Sequence, residues 1–439
     1  MFLLGFILFW IGGSVLSGDS TLISFLSILV VLPFNITLQL PQVVKIFETE
    51  IVLSYPYING LYSSYLVPTI SILDIAIVLF LLSLLLEKGR EFSKSMSKPV
   101  RTGLIVFCLS LLIQNLLLVD FLSILNSIRL LLSVFFILGA IFFLKNYLKE
   151  RNTVWVYRIF LLNILLQGVL GIVQFRNGTS LGLRFLGESQ VVGGMLNSSF
   201  VELNDQIFLR AYGTFPHPNI LGGFFLLTAV LSIFVIKKNK VLGVLLLFSS
   251  FLFSLFTFSR VAIVLIGLVL VVSLIKPPVS IKNNFFSFTP LLLVERFKNI
   301  LSLKENSWKD RLNLLKVGLN VVKESWILGT GLGNFVRALG DSIPRTSKGI
   351  LLAQPVHNIF LLAFAELGIL GFLALFYTII KVVLENIGRM NWIKWCILFS
   401  LLIIGSVDHY LFTLPQGLTI FCLLILLLTL DLETLYKDK

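Results

Sequence analysis

Apolar runs recur along the whole chain, each closed by a short polar or basic segment. They lie at 1–17, 21–40, 69–86, 102–119, 122–144, 154–175, 216–236, 241–258, 261–275, 357–380, 393–407 and 416–431. A helix needs about 20 apolar residues to cross a bilayer, so the pattern predicts an all-α polytopic integral membrane protein with about 12 transmembrane helices. The first run, MFLLGFILFWIGGSVLS, lacks a basic leader and reads as a membrane segment rather than a cleaved signal. The long segment 295–356 breaks the pattern. Within it Leu312, Leu315, Leu319, Val322 and Trp326 recur at helical steps, which predicts an amphipathic helix lying on the membrane surface. Ser307 and Asp310 resemble a capping pair at its start, and GTGLG at 329–333 stops it. No strand precedes those glycines, so they are a poor nucleotide-binding signal.

Charge placement orients the spans. The segments 87–101, 145–158, 237–240 and 381–394 are rich in lysine and arginine, and the positive-inside rule assigns them to the cytoplasm. The other side then receives 41–68, 176–215, the turn at 259–260, the long segment 295–356 and the turn near 408–415. All three histidines, His217, His357 and His409, fall on that outer side. One crossing is awkward: to bring 295–356 outside, the chain must cross again between about 283 and 300, where only FFSFTPLLLV is apolar. That is short for a helical span and would need shelter among other helices.

Composition supports the same reading. The chain of 439 residues is 57% hydrophobic and only 13% charged, against roughly 25% charged in soluble domains. The net charge of +13 would suggest nucleic acid on a soluble protein; here the basic inner loops explain much of it, and no nucleic-acid partner is expected. Cys108, Cys396 and Cys422 lie inside apolar runs as small packed residues. The histidines lack metal-ligand spacing, so no metal is expected unless the fold gathers them.

Polar residues at span ends are where chemistry is sought, since charge beside a membrane is costly. In RAYGTFPHPNILGG (210–223), Pro216 and Pro218 hold the backbone around His217, and Asn219 sits where a helix begins. A helix cap accounts for His217 and Asn219 as well as a site does. Arg260 stands between two apolar runs with Ser259 beside it. It either snorkels to water or holds an anion, for which its planar fork suits diphosphate oxygens. Arg311 lies near the start of the amphipathic helix, whose terminus also favours anions. His357 and Asn358 head the span PVHNIFLLAFAELGILG, and Asp408, His409 and Tyr410 cluster at the end of another. A carboxylate there could orient an imidazole or pair with an arginine. Glu366 points to roughly the opposite helix face from His357 and is expected to pair with a basic or amide group between helices.

The motifs GTFPHPNILGG, TFSRVAIVLIGL, DRLNLLKVGLNVVKESWILGTGLGNF, HNIFLLAFAELGILG and DHYLFT, in this order over about 210–415, resemble the O-antigen ligase/polymerase superfamily. That superfamily includes lipopolysaccharide O-antigen ligases, O-antigen polymerases and bacterial O-linked oligosaccharyltransferases. The resemblance implies N-terminal transmembrane helices over 1–175 and a ligase-like catalytic membrane region over 176–439, in a multi-pass protein of the bacterial cytoplasmic membrane with its site on the outer, periplasmic face. It implies a glycosyltransferase without metal or other cofactor, passing a glycan from a polyprenyl (usually undecaprenyl) diphosphate to a hydroxyl of a glycolipid, glycan or protein. Arg260 and Arg311 would hold the diphosphate, with Arg210 a further anion ligand. His357 would be the base and Asp408 an important carboxylate; His217, Asn219, Asn358 and His409 would support them. A transporter of lipid-linked glycans would instead spread polar groups along a path through the spans or show an inverted repeat. A scaffold would tolerate loss of all three arginines.

Overall fold

The computed structural model describes residues 2–46, 49–194, 198–203, 206–275, 307–346 and 349–430. Twelve helices coincide with the apolar runs: α1 (Phe2–Ser17), α2 (Ser20–Val31), α3 (Ile72–Ser95), α4 (Lys98–Leu118), α5 (Phe121–Asn146), α6 (Glu150–Asn177), α7 (Pro218–Ile236), α8 (Lys240–Thr257), α9 (Arg260–Ile275), then, after the amphipathic α10 (Ser307–Ser325), α11 (Ile359–Asn386), α12 (Trp392–Val407) and α13 (Pro415–Thr429). Six of these, α4 to α8 and α11, are long and apolar enough to cross a membrane by length and composition. The crossing expected over 283–300 lies outside the described residues.

The polar residues that interrupt the apolar runs become helix caps, which is why the turns are short. Asp19, Ser97, Asp120, Asn239, Asn358 and Asn391 each accept a bond from a backbone N–H of the helix they begin. Two runs are shorter as helices than as apolar stretches. The run 21–40 leaves the helix at Val31, and 69–86 enters it only at Ile72. Between them Thr37–Gln39 (β1) pairs antiparallel with Thr69–Ser71 (β6). β-Branched Thr37, Thr69 and Ile70 suit that ladder. The intervening loop carries two hairpins, β2–β3 (Val43–Ile46 with Thr49–Val52) and β4–β5 (Tyr57–Ile58 with Leu61–Tyr62). A fourth pair, β7–β8 (Phe200–Leu203 with Gln206–Leu209), lies just before α7. These ribbons are the departure from an all-helical expectation.

α7 is apolar all round and buried along nearly its whole length, so it is the central helix. Gly222 lets it approach α9 closely, because a Cβ there would meet Ser259 and Ala262; Gly223 does the same toward Tyr410. α8 and α9 pack on α7, α4 packs on α11, and α13 packs on α5 and α7. The basic turns meet at one end: Lys145 donates to Asn386, Ser97 to Glu385, and Lys88 lies over Tyr147. α7, α9 and α11 all begin at the other end.

α10 packs on α11 through only part of its apolar repeat. Leu314, Gly318 and Val321 are buried and Leu315 and Val322 half-buried, while Leu312, Leu319 and Trp326 are exposed. The GTGLG segment that follows wedges into a break in α11. Gly368 adopts φ 64°, ψ −179°, a region essentially reserved for glycine. The carbonyls this break frees are taken by the glycine loop, and a freed amide by the end of the segment before it. Thr330 N donates to Ala365 O at 2.9 Å, Gly331 N to Glu366 O at 3.0 Å, and Ile369 N to Trp326 O at 2.8 Å. Gln114 of α4 donates to Leu328 O and Glu366 O. The Glu366 side chain, 3% exposed, accepts from Phe335 N. Its partner is thus a backbone amide rather than a basic group, and the glycine loop is a joint between helices. Gly368→Ala would force a Cβ against Ile327 O and Gly329 N. It is expected to destabilise the protein by at least about 1–3 kcal/mol, read as a lowered midpoint of thermal unfolding in detergent.

Candidate functional site

The site lies where α7, α9 and α11 begin and α12 ends. Helix N-termini present unpaired N–H groups and partial positive charge, so this end already favours anions before any side chain is considered.

The turn 210–217 leads into α7 and is held from α6 by two buried glutamines. Gln174 Oε1 accepts from Tyr212 N (3.1 Å) and Gly213 N (2.7 Å), and its Nε2 donates to Gly213 O and Glu188. Gln167 Oε1 accepts from Thr214 N at 2.8 Å, and Thr214 Oγ1 donates to Pro33 O at 2.7 Å. An irregular backbone at this depth needs such partners, because an orphaned buried amide costs about 1–3 kcal/mol. Neither glutamine is conspicuous in the sequence, where both are lone polar residues in an apolar helix.

From that braced turn a chain of polar groups runs across three elements. Arg210 donates through Nε to Thr257 O and through Nη2 to Asn219 Oδ1, both at 2.7 Å. Asn219 Nδ2 donates to Asp408 Oδ2 at 2.7 Å, and Asp408 Oδ1 accepts from His409 N at 2.8 Å. His217 does cap α7, accepting at Nδ1 from Asn219 N, but its Nε2 also faces Ser199 Oγ at 2.9 Å. Cap and site are therefore one arrangement.

His357 and His409 meet edge to face with centroids 5.0 Å apart. His409 Nδ1 pairs with Thr413 Oγ1 at 2.8 Å. His357 Nδ1 is buried without a hydrogen-bond partner among the described residues. Asn358 caps α11 through Leu361 N and reaches Ser406 O, which ties the start of α11 to the end of α12. Arg311 is half-buried on the inner face of α10, and its charge acts on His217, His357, Asp408 and His409 alike. Arg260 is half-buried as the first residue of α9, next to Ser259 and one turn from the Thr257 carbonyl that Arg210 holds. The arginine charges that act on His217 are those of Arg210 and Arg311; on His357 and His409 the arginine that acts is Arg311.

Burial disfavours charged imidazoles here, and the neighbouring cations add to it. His217 is pushed down to about 3, by burial first and then by Arg210. His357 is lowered by burial, with His409, Arg311 and His217 adding and Asp408 opposing. His409 is lowered by burial and Arg311 against Asp408. Burial alone would raise the Asp408 carboxyl, but in the acid range where it titrates His409, His357 and His217 are charged, and with Arg311 they outweigh burial and hold it low. At neutral pH the cluster is thus unprotonated imidazoles around one carboxylate, with guanidinium groups at its edge.

One group at the site was not singled out in the sequence. Tyr65, from the loop between α2 and α3, lies edge-on to His409 with centroids 5.5 Å apart. Burial raises its hydroxyl, and Asp408 acts in the same direction. The only cue was a tyrosine-rich, uncharged stretch far upstream of the other motifs.

The side-chain donors of His357, Asp408 and His409 all lie within 4.8 Å of one another and could hold a divalent cation. Competing demands weigh on them: Asp408 already accepts from Asn219 and His409 N, His409 Nδ1 is engaged, and the Arg311 charge opposes a cation.

Residues 220–376 match the family model described as O-antigen ligase. The matched stretch carries Arg260, Arg311 and His357, while Arg210, His217, Asn219, Asp408 and His409 lie beyond its ends. No curated protein matches the chain.

Asn219 is the link whose loss the geometry makes most specific. Asn219→Ala leaves Asp408 Oδ2 and an Arg210 N–H without their partner, at a cost of about 1–3 kcal/mol. Thermal unfolding should show that loss, whereas Asn219→Asp would set a second carboxylate against Asp408 and be worse.

Proposed function

We propose that this chain, which belongs to the O-antigen ligase/polymerase superfamily through residues 220–376, is a membrane glycosyltransferase that moves a glycan from a polyprenyl diphosphate to an acceptor hydroxyl. The observation that carries the reading is the gathering of His357, His409, Asp408, Arg210 and Arg311 from four separate segments at the end where α7, α9 and α11 begin. The superfamily supplies the substrate class; the site supplies groups suited to it.

In this reaction the acceptor oxygen forms a bond to the anomeric carbon as the bond from that carbon to the diphosphate oxygen breaks. Negative charge grows on the leaving diphosphate. Arg210, Arg311 and Arg260, with the helix N-termini, are the groups to hold it, and fixed cations in a water-poor site are worth far more than in bulk. The acceptor proton passes to His357, whose Nδ1 has no hydrogen-bond partner among the described residues. Asp408, held by Asn219, offsets the imidazolium that forms. Attack from the side opposite the leaving group would invert the anomeric centre. On this reading the lipid carrier stays among the apolar spans, the glycan extends outward, and the site faces the periplasm from the bacterial inner membrane. Ligase, polymerase and protein-glycosylating members differ in the acceptor, and the arrangement here serves any hydroxyl.

The depressed imidazoles bear directly on this chemistry. In the empty site His357 stays unprotonated at neutral pH but is a weak base, because nearby cations and burial oppose its charging. A bound diphosphate neutralises those cations, so its arrival raises the basicity of His357 where the proton must be taken. Polar groups gathered at one end rather than strung through the spans favour transfer over transport.

Mass analysis of glycan transfer by purified protein, given a lipid-diphosphate glycan and candidate acceptors, tests this. His357→Ala is expected to lower the rate about 10²–10⁴-fold, and Arg311→Ala about 10²–10³-fold, with both variants inserted and folded. Normal transfer by both would overturn the assignment. The pH profiles should also separate. On the acid side kcat/KM, which reports the free enzyme, should hold well below pH 6.5 and fall only as His357 gains its proton. The fall in kcat, which reports the complex, should begin at higher pH because bound diphosphate raises the same group.

A further inference from the structure

The proposed reaction leaves the glycan itself without a binding surface, since the arginines and histidines answer to phosphate and proton. The uncharged stretch 51–73 offers one. Four of the chain's ten tyrosines fall within residues 55–65. Three stand out from the surface, Tyr55 at 66%, Tyr57 at 40% and Tyr62 at 49% exposure. They form one continuous set. Tyr57 and Tyr62 are direct cross-strand partners in β4–β5, their rings meet edge to face at 5.8 Å, and Tyr55 meets Tyr57 at 5.8 Å.

These rings are exposed on a firm support. Asn59 and Gly60 take φ 49° and φ 78° in the two-residue turn, the geometry an Asn-Gly hairpin favours. Asn59 Nδ2 donates to Gly340 O and Asp341 Oδ1, and Ser63 Oγ to Ala353 O, each at 3.2 Å. Ile58 and Leu66 are buried in the cluster that holds Phe335 and Val356. The hairpin is thus fastened to the segment between α10 and α11, and its tyrosines are left outward. Three residues beyond Tyr62, Tyr65 reaches His409. One short segment of chain therefore carries three exposed, mutually contacting rings at one end and, at the other, a ring against an imidazole.

We propose that Tyr55, Tyr57 and Tyr62 form a glycan-binding subsite that receives the sugar chain of the lipid-linked donor, with Tyr65 at its reacting end. The inference rests on the transferase reading above. Sugar rings are neutral, carry apolar C–H faces and project hydroxyls. A tyrosine ring offers an electron-rich face to the C–H groups and a hydroxyl to the rim. Charge is divided to match: guanidinium groups lie where the diphosphate is expected, and no charged side chain occurs in the stretch that carries the rings. Aromatic anchoring in a bilayer interface is the rival occupant.

Binding to the full-length protein in nanodiscs separates these. Two probes are compared: bare undecaprenyl diphosphate, and the glycan-bearing undecaprenyl diphosphate extracted from cells that make this protein. The wild-type protein should hold the glycan-bearing carrier more tightly. The triple variant Tyr55→Ala, Tyr57→Ala, Tyr62→Ala should lose roughly tenfold or more of that preference while binding the bare carrier as before. The corresponding triple phenylalanine variant should keep most of the preference, which checks that the hairpin still folds. Preference unchanged in the alanine variant overturns the subsite alone, and so does a spin label at position 57 found within the hydrocarbon layer. A wild-type protein that binds neither carrier overturns the subsite together with the reading on which it rests.

Discussion

Everything at the candidate site depends on holding opposite charges close together in a water-poor place without letting them cancel. Asn219 does this. Its amide accepts from Arg210 and donates to Asp408, so a cation and an anion are linked through a neutral group rather than joined directly. The amide thereby fixes the positions of both groups; a charge left with no link would be expensive to bury. The amide lies on the first turn of α7, the most enclosed helix of the structure. Its position is therefore set by the core and not by a loop.

The same demand governs the backbone. Where helices break near the site, other residues take up the freed groups. Gln167 and Gln174 hold the turn before α7. Gln114, the glycine loop 329–333 and Glu366 hold the break at Gly368. Irregular backbone is tolerated at membrane depth only when protein partners replace water. The two joints do different work. The first aims His217 and Asn219, and the second carries α10, and with it Arg311, against the start of α11.

Much of this was legible from residue order. Twelve apolar runs mark helices because length and hydropathy leave few alternatives, and the caps read out as the polar residues between them. Arg210, His217, Asn219, Arg311, His357, Asp408 and His409 were conspicuous because charged or imidazole groups beside apolar runs are rare. What stayed hidden depends on pairings distant in sequence. The ladder β1–β6 joins residues some thirty apart and turned two expected span ends into strands. The face that α10 turns to α11 was not readable, because Leu312, Leu319 and Trp326 of the apolar repeat lie outward, while Gly318, invisible to any hydrophobic count, sits in the contact. Gln167, Gln174 and Tyr65 carry no local signature at all; each matters only through a partner that the fold brings to it.

The electrostatics of the site follow from these same placements. Burial first, and the guanidinium groups after it, keep the imidazoles unprotonated, which makes the empty site a poor proton acceptor. On the proposed reading, an anion that satisfied the arginines would also relieve the field that holds His357 down. A bare hydroxyl entering first would find no effective base, whereas one entering after a diphosphate would. Order of binding could in this way be written into the charge arrangement without a moving part. A water molecule alone in the site would be as poorly activated as any other hydroxyl until the donor arrives, so what must then keep water from competing is occupancy of the space beside His357 by the acceptor itself.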